Sequence, residues 1–452
     1  MSRGVPLDRR DSVFVLHSAD CVYIGGMLAT PELIAESAQV SRLAQLVPRW
    51  QNVPLYRDGL ARVEGDRDED GGLGRFTRLP LITKRELQTG FPESFLGRDR
   101  SLDALLREGL VELEHTSGTS EERLPVIFGR DWWNEQEERA LRLNAFIGRV
   151  LDEHPNARRA TITSPACNGL TCPTVWQSRA QRTSGNTLFV NLARIPFVLS
   201  DATLARMASE IAEWSPQFLD VDPVHGARFA LYCERRGLRF PTLRFVLCSY
   251  EFASVVHRRI LERAFGVPAF NLYGSTETGH LLMENEHGEM KPAYDTAFLE
   301  IMDADAQNVG ELVVTTLTND YMPLVRYRIG DLAQRRTLPY GNVYIVHGRT
   351  RDALGAPDGT RVTTWQVDQC FAGTGGIVHY ELRQSQTGDC RLRFVPDGPG
   401  PAGAELSDVT ARLEALLKPA AAIQTESMPV LVPSPSGKFR LTRRTAEPAP
   451  PV

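Results

Sequence analysis

The stretch 269–279, A-F-N-L-Y-G-S-T-E-T-G, limits what this chain can become more than any other. An apolar run (Val267, Ala269, Phe270, Leu272) breaks into Tyr273-Gly274 and then into Ser275-Thr276-Glu277. That order suits a buried strand ending in a loop. Upstream, 243–247 (L-R-F-V-L) reads as a strand and 254–265 as a helix, so strand, helix and strand succeed one another as in a βαβ unit. Parallel α/β sheets bind ligands outside the carboxyl ends of their strands, which is where the Tyr273–Glu277 turn falls. Tyr273 offers a flat face for a base, Thr276 a hydroxyl for a phosphate oxygen, and Glu277 a hard oxygen ligand for Mg²⁺.

A chain of 452 residues buries a large core and divides into two or more domains. A net charge of -5 argues against a polyanion-binding protein, so no nucleic-acid partner is expected. No apolar run approaches the ~18 residues of a membrane span. The charged N-terminus is followed by only four apolar residues, 13–16, before His17 and Asp20 interrupt. A cytoplasmic location without a membrane partner is the expectation. Seven cysteines, an odd number, read as reduced thiols, and none forms a C-x-x-C pair that would suit zinc. His280, Glu284 and His287 read as solvated loop residues, as does the acidic run 64–72.

Periodicity places helices over 31–50, with Pro48 ending or kinking the first, and over 131–150, 200–214 and 411–418. Short β-like runs fall at 160–163, 188–190, 218–221, 311–316, 361–364 and 391–395.

Other motifs accompany the central stretch in a fixed order. Glu114-His115-Thr116-Ser117-Gly118-Thr119-Ser120 precedes it. Gly310–Thr316, Arg326-Tyr327-Arg328-Ile329-Gly330-Asp331, Gly348-Arg349-Thr350-Arg351-Asp352 and Ser436-Gly437-Lys438 follow it. Together they resemble the adenylate-forming (acyl-CoA synthetase-like) superfamily. Asn52-Val53-Pro54-Leu55-Tyr56-Arg57 and the run 79–87, L-P-L-I-T-K-R-E-L, resemble the phenylacetate–CoA ligase branch.

The resemblance implies an α/β fold: a large multi-subdomain N-terminal adenylate-forming domain over 1–347, a small mobile α+β C-terminal domain over 348–445, and a flexible tail, 446–452. It implies ATP-dependent activation of a small, aromatic carboxylic acid to an acyl-adenylate, then transfer to coenzyme A. ATP, Mg²⁺ and coenzyme A are the implied cofactors, and a homodimer accompanies the branch. Two alternatives stay open: a ligase passing the acyl group to a carrier-protein thiol or an amine, and a homologue that binds nucleotide with weakened catalysis.

Residue by residue, the resemblance makes Ser117, Gly118, Thr119 and Ser120 a phosphate loop, whose glycine lets the backbone approach an anion. Tyr273, Gly274, Ser275, Asp331, Arg328 and Arg349 would hold the nucleotide, with Asp331 on the ribose hydroxyls. Glu277 would ligate Mg²⁺, with Thr276 beside it, and Lys438 would stabilise charge at the α-phosphate. His225, Tyr250, Glu251 and Gly279 would face the acid, with Cys248 and Tyr250 narrowing its pocket. The branch's Gly-Lys-Pro after the phosphate loop is replaced by Glu121-Glu122-Arg123-Leu124-Pro125. Either Arg123 takes the lysine's place or the loop grips ATP weakly. Arg351 stands where the family's hinge carries Asp or Lys.

Overall fold

The computed structural model describes residues 22–24, 27–29, 31–63, 76–97, 100–116, 123–165 and 177–445. The phosphate loop 117–120, Glu121, Glu122 and the tail 446–452 lie outside the described residues.

Strand Ala269–Ser275 is the hinge-line of a twelve-stranded sheet. On one side it pairs in parallel with Phe245–Cys248, which continues in parallel to Phe218–Val221, Arg159–Ile162 and Thr187–Phe189. On the other side it turns back antiparallel into Gly279–Glu284, and the sheet runs on through Met290–Pro292, Gly341–Arg349, Tyr327–Leu338, Val309–Thr316 and Ala297–Met302.

The parallel half is wound by helices whose starts are written in the sequence. Ser200, Asp222 and Ser254 each accept a backbone N–H from the first turn of Asp201–Trp214, Pro223–Arg235 and Val255–Phe265. Such caps are worth about 1 kcal/mol each. All four residues of Phe218–Val221 and of Phe245–Cys248 are buried, as strands covered on both faces must be. Gly226 has no room for a Cβ, which would press on the Val221 side chain at 2.8 Å, so helix Pro223–Arg235 lies close on its strand.

A second, four-stranded sheet follows in sequence, in the order Gln424–Ser427, Cys390–Pro396, Ile377–Gln384, Thr442–Arg444, accompanied by helix Gly403–Leu417. Its apolar residues Val378, Tyr380 and Leu382 share one core with Ile260, Leu261 and Ala264 of helix Val255–Phe265.

Three sequence expectations are corrected. The pattern over 131–150 is two helices, Trp132–Leu141 and Ala145–Glu153, because the Asn144 side chain accepts the Ile147 N–H and starts a new one. The run 361–364 is only a two-residue strand, Arg361–Val362, since Thr363 caps helix Thr364–Gln369 with Gln366 in a capping box. His280 and Glu284 are not solvated: both are buried on strand Gly279–Glu284, where Arg258 pairs with Glu284 at 2.8 Å. His287 alone of the three is exposed. The first helix, Pro31–Trp50, ends two residues after Pro48.

Candidate active site

A cleft of about 1180 Å³ opens at the carboxyl ends of the parallel strands, between them and the loop before strand Thr442–Arg444. Pockets for one drug-sized ligand span about 300–1,000 Å³, so this one has room for a nucleotide and a second small molecule.

The central stretch forms its floor. Strand Ala269–Ser275 delivers Tyr273, whose phenol donates to Asp331 Oδ2 at 2.7 Å. Burial, then the neighbouring Asp331 charge, pushes the Tyr273 phenol well above its ordinary value, so it remains a donor. Asp331 pairs across the sheet with Arg349, whose guanidinium stands 3.6 Å from Oδ1. Burial works against the Arg349 charge, but Asp331 and Glu277 more than offset it. A β-bulge follows Tyr273, and at Gly274 a Cβ would collide with the Gly279 carbonyl. Only glycine fits that approach.

The chain then turns through Ser275, Thr276 and Glu277, all lining the cleft, with Ser275 and Thr278 hydroxyls bonded at 2.9 Å. Glu277 is buried, and its Oε1 accepts from Tyr327 at 3.2 Å. Oε2 takes no hydrogen bond among the described residues, which leaves one hard oxygen for a cation.

Arg328 lines the cleft, but its guanidinium is tied to Asp303 and Glu311, each at 3.0 Å. Its neighbour Arg326 is buried, paired with Glu300 at 2.9 Å, and donates to the carbonyls of Thr77 and Leu79.

Lys438 reaches the cleft from the C-terminal side on a turn closed by the Gly437 N–H to the Ser434 carbonyl at 2.9 Å, with Gly437 at φ +86°. The turn is anchored from outside by Arg194, which donates to the Pro435 carbonyl at 2.7 Å.

The residues expected against the acid part company. Tyr250 and Glu251 line the cleft; Gly279 and His225 are not among its lining residues. Gly279 has φ +72°, and a Cβ there would press on Trp132 and Gln136, so its glycine serves packing. His225 is buried in the first turn of helix Pro223–Arg235, with Nδ1 bonded to Asn191 at 2.9 Å. Burial lowers its pKa, which keeps the ring neutral. Cys248 also lines the cleft, and burial pushes its thiol up to about 12, so it is no nucleophile.

Several lining residues escaped the sequence reading. Tyr327 sits between Arg326 and Arg328, buried, and only its hydroxyl on Glu277 distinguishes it. Lys84 lies in the run 79–87, and its Nζ donates to Thr116 at 3.3 Å, directly before the phosphate loop. Trp365, His379 and Phe439 come from the C-terminal segment, where no local pattern marks them.

No family model matches the chain. It is 25% identical over 365 residues to a phenylacetate–coenzyme A ligase of Thermus thermophilus, covering 76% of this chain and 77% of that one. It is 25% identical over 360 residues to the Pseudomonas putida enzyme of the same name, covering 75% and 76%. Among solved structures, a 2-hydroxyisobutyryl-CoA ligase in the postadenylation state superposes with a TM-score of 0.65 at 18% identity, over 91% of this chain and 89% of that one.

Fold and similarity together define an adenylate-forming enzyme, an AMP-forming carboxylate ligase. Within that superfamily the curated relatives it is similar to over about three quarters of its length are phenylacetate–CoA ligases.

Proposed function

We propose that the chain condenses a small carboxylic acid with ATP to an acyl-adenylate, releases pyrophosphate, and passes the acyl group to the thiol of coenzyme A. The observation that carries this reading is the convergence of Tyr273, Asp331, Arg349, Glu277 and Lys438 on one cleft from four separate segments.

Asp331, oriented by Tyr273 and Arg349, has the carboxylate needed to accept both ribose hydroxyls. Ser275 and Thr276 offer hydroxyls to phosphate oxygens, and Ser117–Ser120 would complete that cradle. Mg²⁺ would fit Glu277, a carboxylate that lines the cleft; when bound it would neutralise phosphate charge. Lys438 brings a cation to the α-phosphate as the carboxylate attacks, where charge grows in the transition state. The mixed anhydride so formed carries AMP as a good leaving group for the thiol.

Cys248, Phe252, Val255 and Phe439 give the cleft an apolar wall, which supports an aromatic or similarly apolar acid. A division at 347/348, with Arg349–Asp352 as the joint and 446–452 as a tail, belongs to the same proposal, as does a homodimer in the cytoplasm. Among the described residues no helix is long and apolar enough to cross a membrane.

The test is ATP–pyrophosphate exchange over a panel of aromatic and aliphatic acids, followed by mass identification of products with coenzyme A. Exchange with at least one acid and a thioester product are expected. ATP binding without exchange for any acid overturns the reading, and loading of a carrier-protein thiol in preference to coenzyme A overturns the acceptor.

A further inference from the structure

Glu251 closes an unusual turn. Its N–H donates to the Ser249 carbonyl at 2.8 Å, two residues back, with Tyr250 between them at φ +72°. A three-residue turn with positive φ at a tyrosine is a strained conformation that surrounding contacts must hold. Those contacts come from Asp220: its Oδ2 accepts the Tyr250 phenol at 2.8 Å, and its Oδ1 accepts the Ser249 hydroxyl. Arg159 backs Asp220 at 3.7 Å.

The strained turn aims the Glu251 carboxyl at two targets. Oε1 accepts the Phe439 N–H, one residue beyond Lys438, at 2.8 Å. The other target is Asp222, whose charge acts on the Glu251 carboxyl. Asp222 Oδ1 already caps helix Pro223–Arg235 through the N–H groups of Val224 and His225. Its buried Oδ2 has no hydrogen-bond partner among the described residues. Burial, then the Asp222 charge, raises the Glu251 pKa well above its ordinary value. The titratable groups around the pair are Lys438 and, across Asp222, His225.

We propose that Glu251 is a positioning residue for the lysine step: accepting the Phe439 N–H, it seats that backbone and so fixes Lys438 in the cleft. The idea rests on the adenylation reading above, but it concerns the seat of the loop and not the chemistry of the lysine.

The experiment compares wild type, Glu251→Ala and Glu251→Gln in pyrophosphate exchange between pH 6 and 9. A displacement of ~1 Å at a catalytic group costs on the order of 10²-fold, and Glu251→Ala is expected to lose about that in kcat with little change in the KM for ATP. The glutamine side-chain oxygen still accepts the Phe439 N–H, so Glu251→Gln recovers most of the loss.

A second readout does not depend on turnover. Trypsin cleaves after Lys438, and the seated Phe439 amide protects that bond; mass mapping is expected to show faster cutting there in Glu251→Ala and not in Glu251→Gln. An alanine variant that exchanges and is cleaved like wild type overturns the proposal, as does a glutamine variant as impaired as alanine. Wild type that fails to exchange with every acid overturns the functional reading instead, and the cleavage comparison still decides the seat.

Discussion

Tyr273 and Asp331 are joined at 2.7 Å, although three strands lie between theirs in the order of the sheet. Laid flat, four interstrand gaps of about 4.8 Å would separate them by ~19 Å. The antiparallel half therefore curls over, enclosing Leu282, Leu312, Val314, Ala333 and Tyr344 as a core of its own, against which Tyr273 packs. The nucleotide end of the cleft is the mouth of that curl.

Losing this bond is expected to weaken ATP binding. Hydrogen bonds to charged groups are worth about 1.5–3 kcal/mol, so Tyr273→Phe and Asp331→Asn should raise the KM for ATP at least about tenfold. The KM for the acid should hold. Exchange kinetics with each substrate varied in turn separates the two.

Lys438→Ala is expected to cut the pyrophosphate-exchange rate by about 10²–10³-fold, the usual loss when a group aimed at developing charge is removed. Thioester formation from a supplied acyl-adenylate should fall far less. An alanine enzyme that adenylates at full rate contradicts the assignment.

Arg326 is a stability residue. Removing one partner of a buried pair costs about 3–5 kcal/mol because the other charge stays buried. Arg326→Leu leaves Glu300 and the Thr77 and Leu79 carbonyls without their donor, so urea denaturation should show a loss of that order. Arg328→Leu, whose partner Asp303 is exposed, should lose much less.

Asp368 gives the protein a pH-dependent stability. Its carboxylate accepts from the Val255 N–H at 3.0 Å and the Tyr380 hydroxyl at 2.7 Å, and burial lifts its pKa to about 7 from 3.8. The folded state then holds its proton more tightly than the unfolded chain. Its contribution is full below about pH 4 and is lost as pH rises to about 7. Asp368→Asn should flatten stability across that window, read by chemical denaturation at several pH values.

Much of the site was legible before any coordinates, because its parts are local. A strand that must stop, a glycine that must follow and hydroxyls beside a carboxylate are adjacent in 269–279, and that stretch lines the cleft as one piece. The helix read over 254–265 is local in the same way, and Ser254 caps it. What stayed hidden is long-range. That Arg326 is structural and Arg328 surface-tied depends on Glu300, Asp303 and Glu311, which no spacing rule connects to them. The burial of His280 and Glu284 follows from Arg258 and the helix Trp132–Leu141 packed over their strand, and Glu251 meets Asp222 and Phe439 only in three dimensions.

The segment 428–441 runs from one edge strand of the four-stranded sheet, Gln424–Ser427, to the other, Thr442–Arg444. Pulled straight it would reach ~46 Å at about 3.3 Å per residue, while the three gaps it crosses total ~14 Å at about 4.8 Å each. A tether with threefold slack does not determine where its lysine stands. The address of Lys438 is therefore written on the opposite bank, in Arg194 and Glu251, and sequence change there can relocate the lysine without touching the segment that carries it.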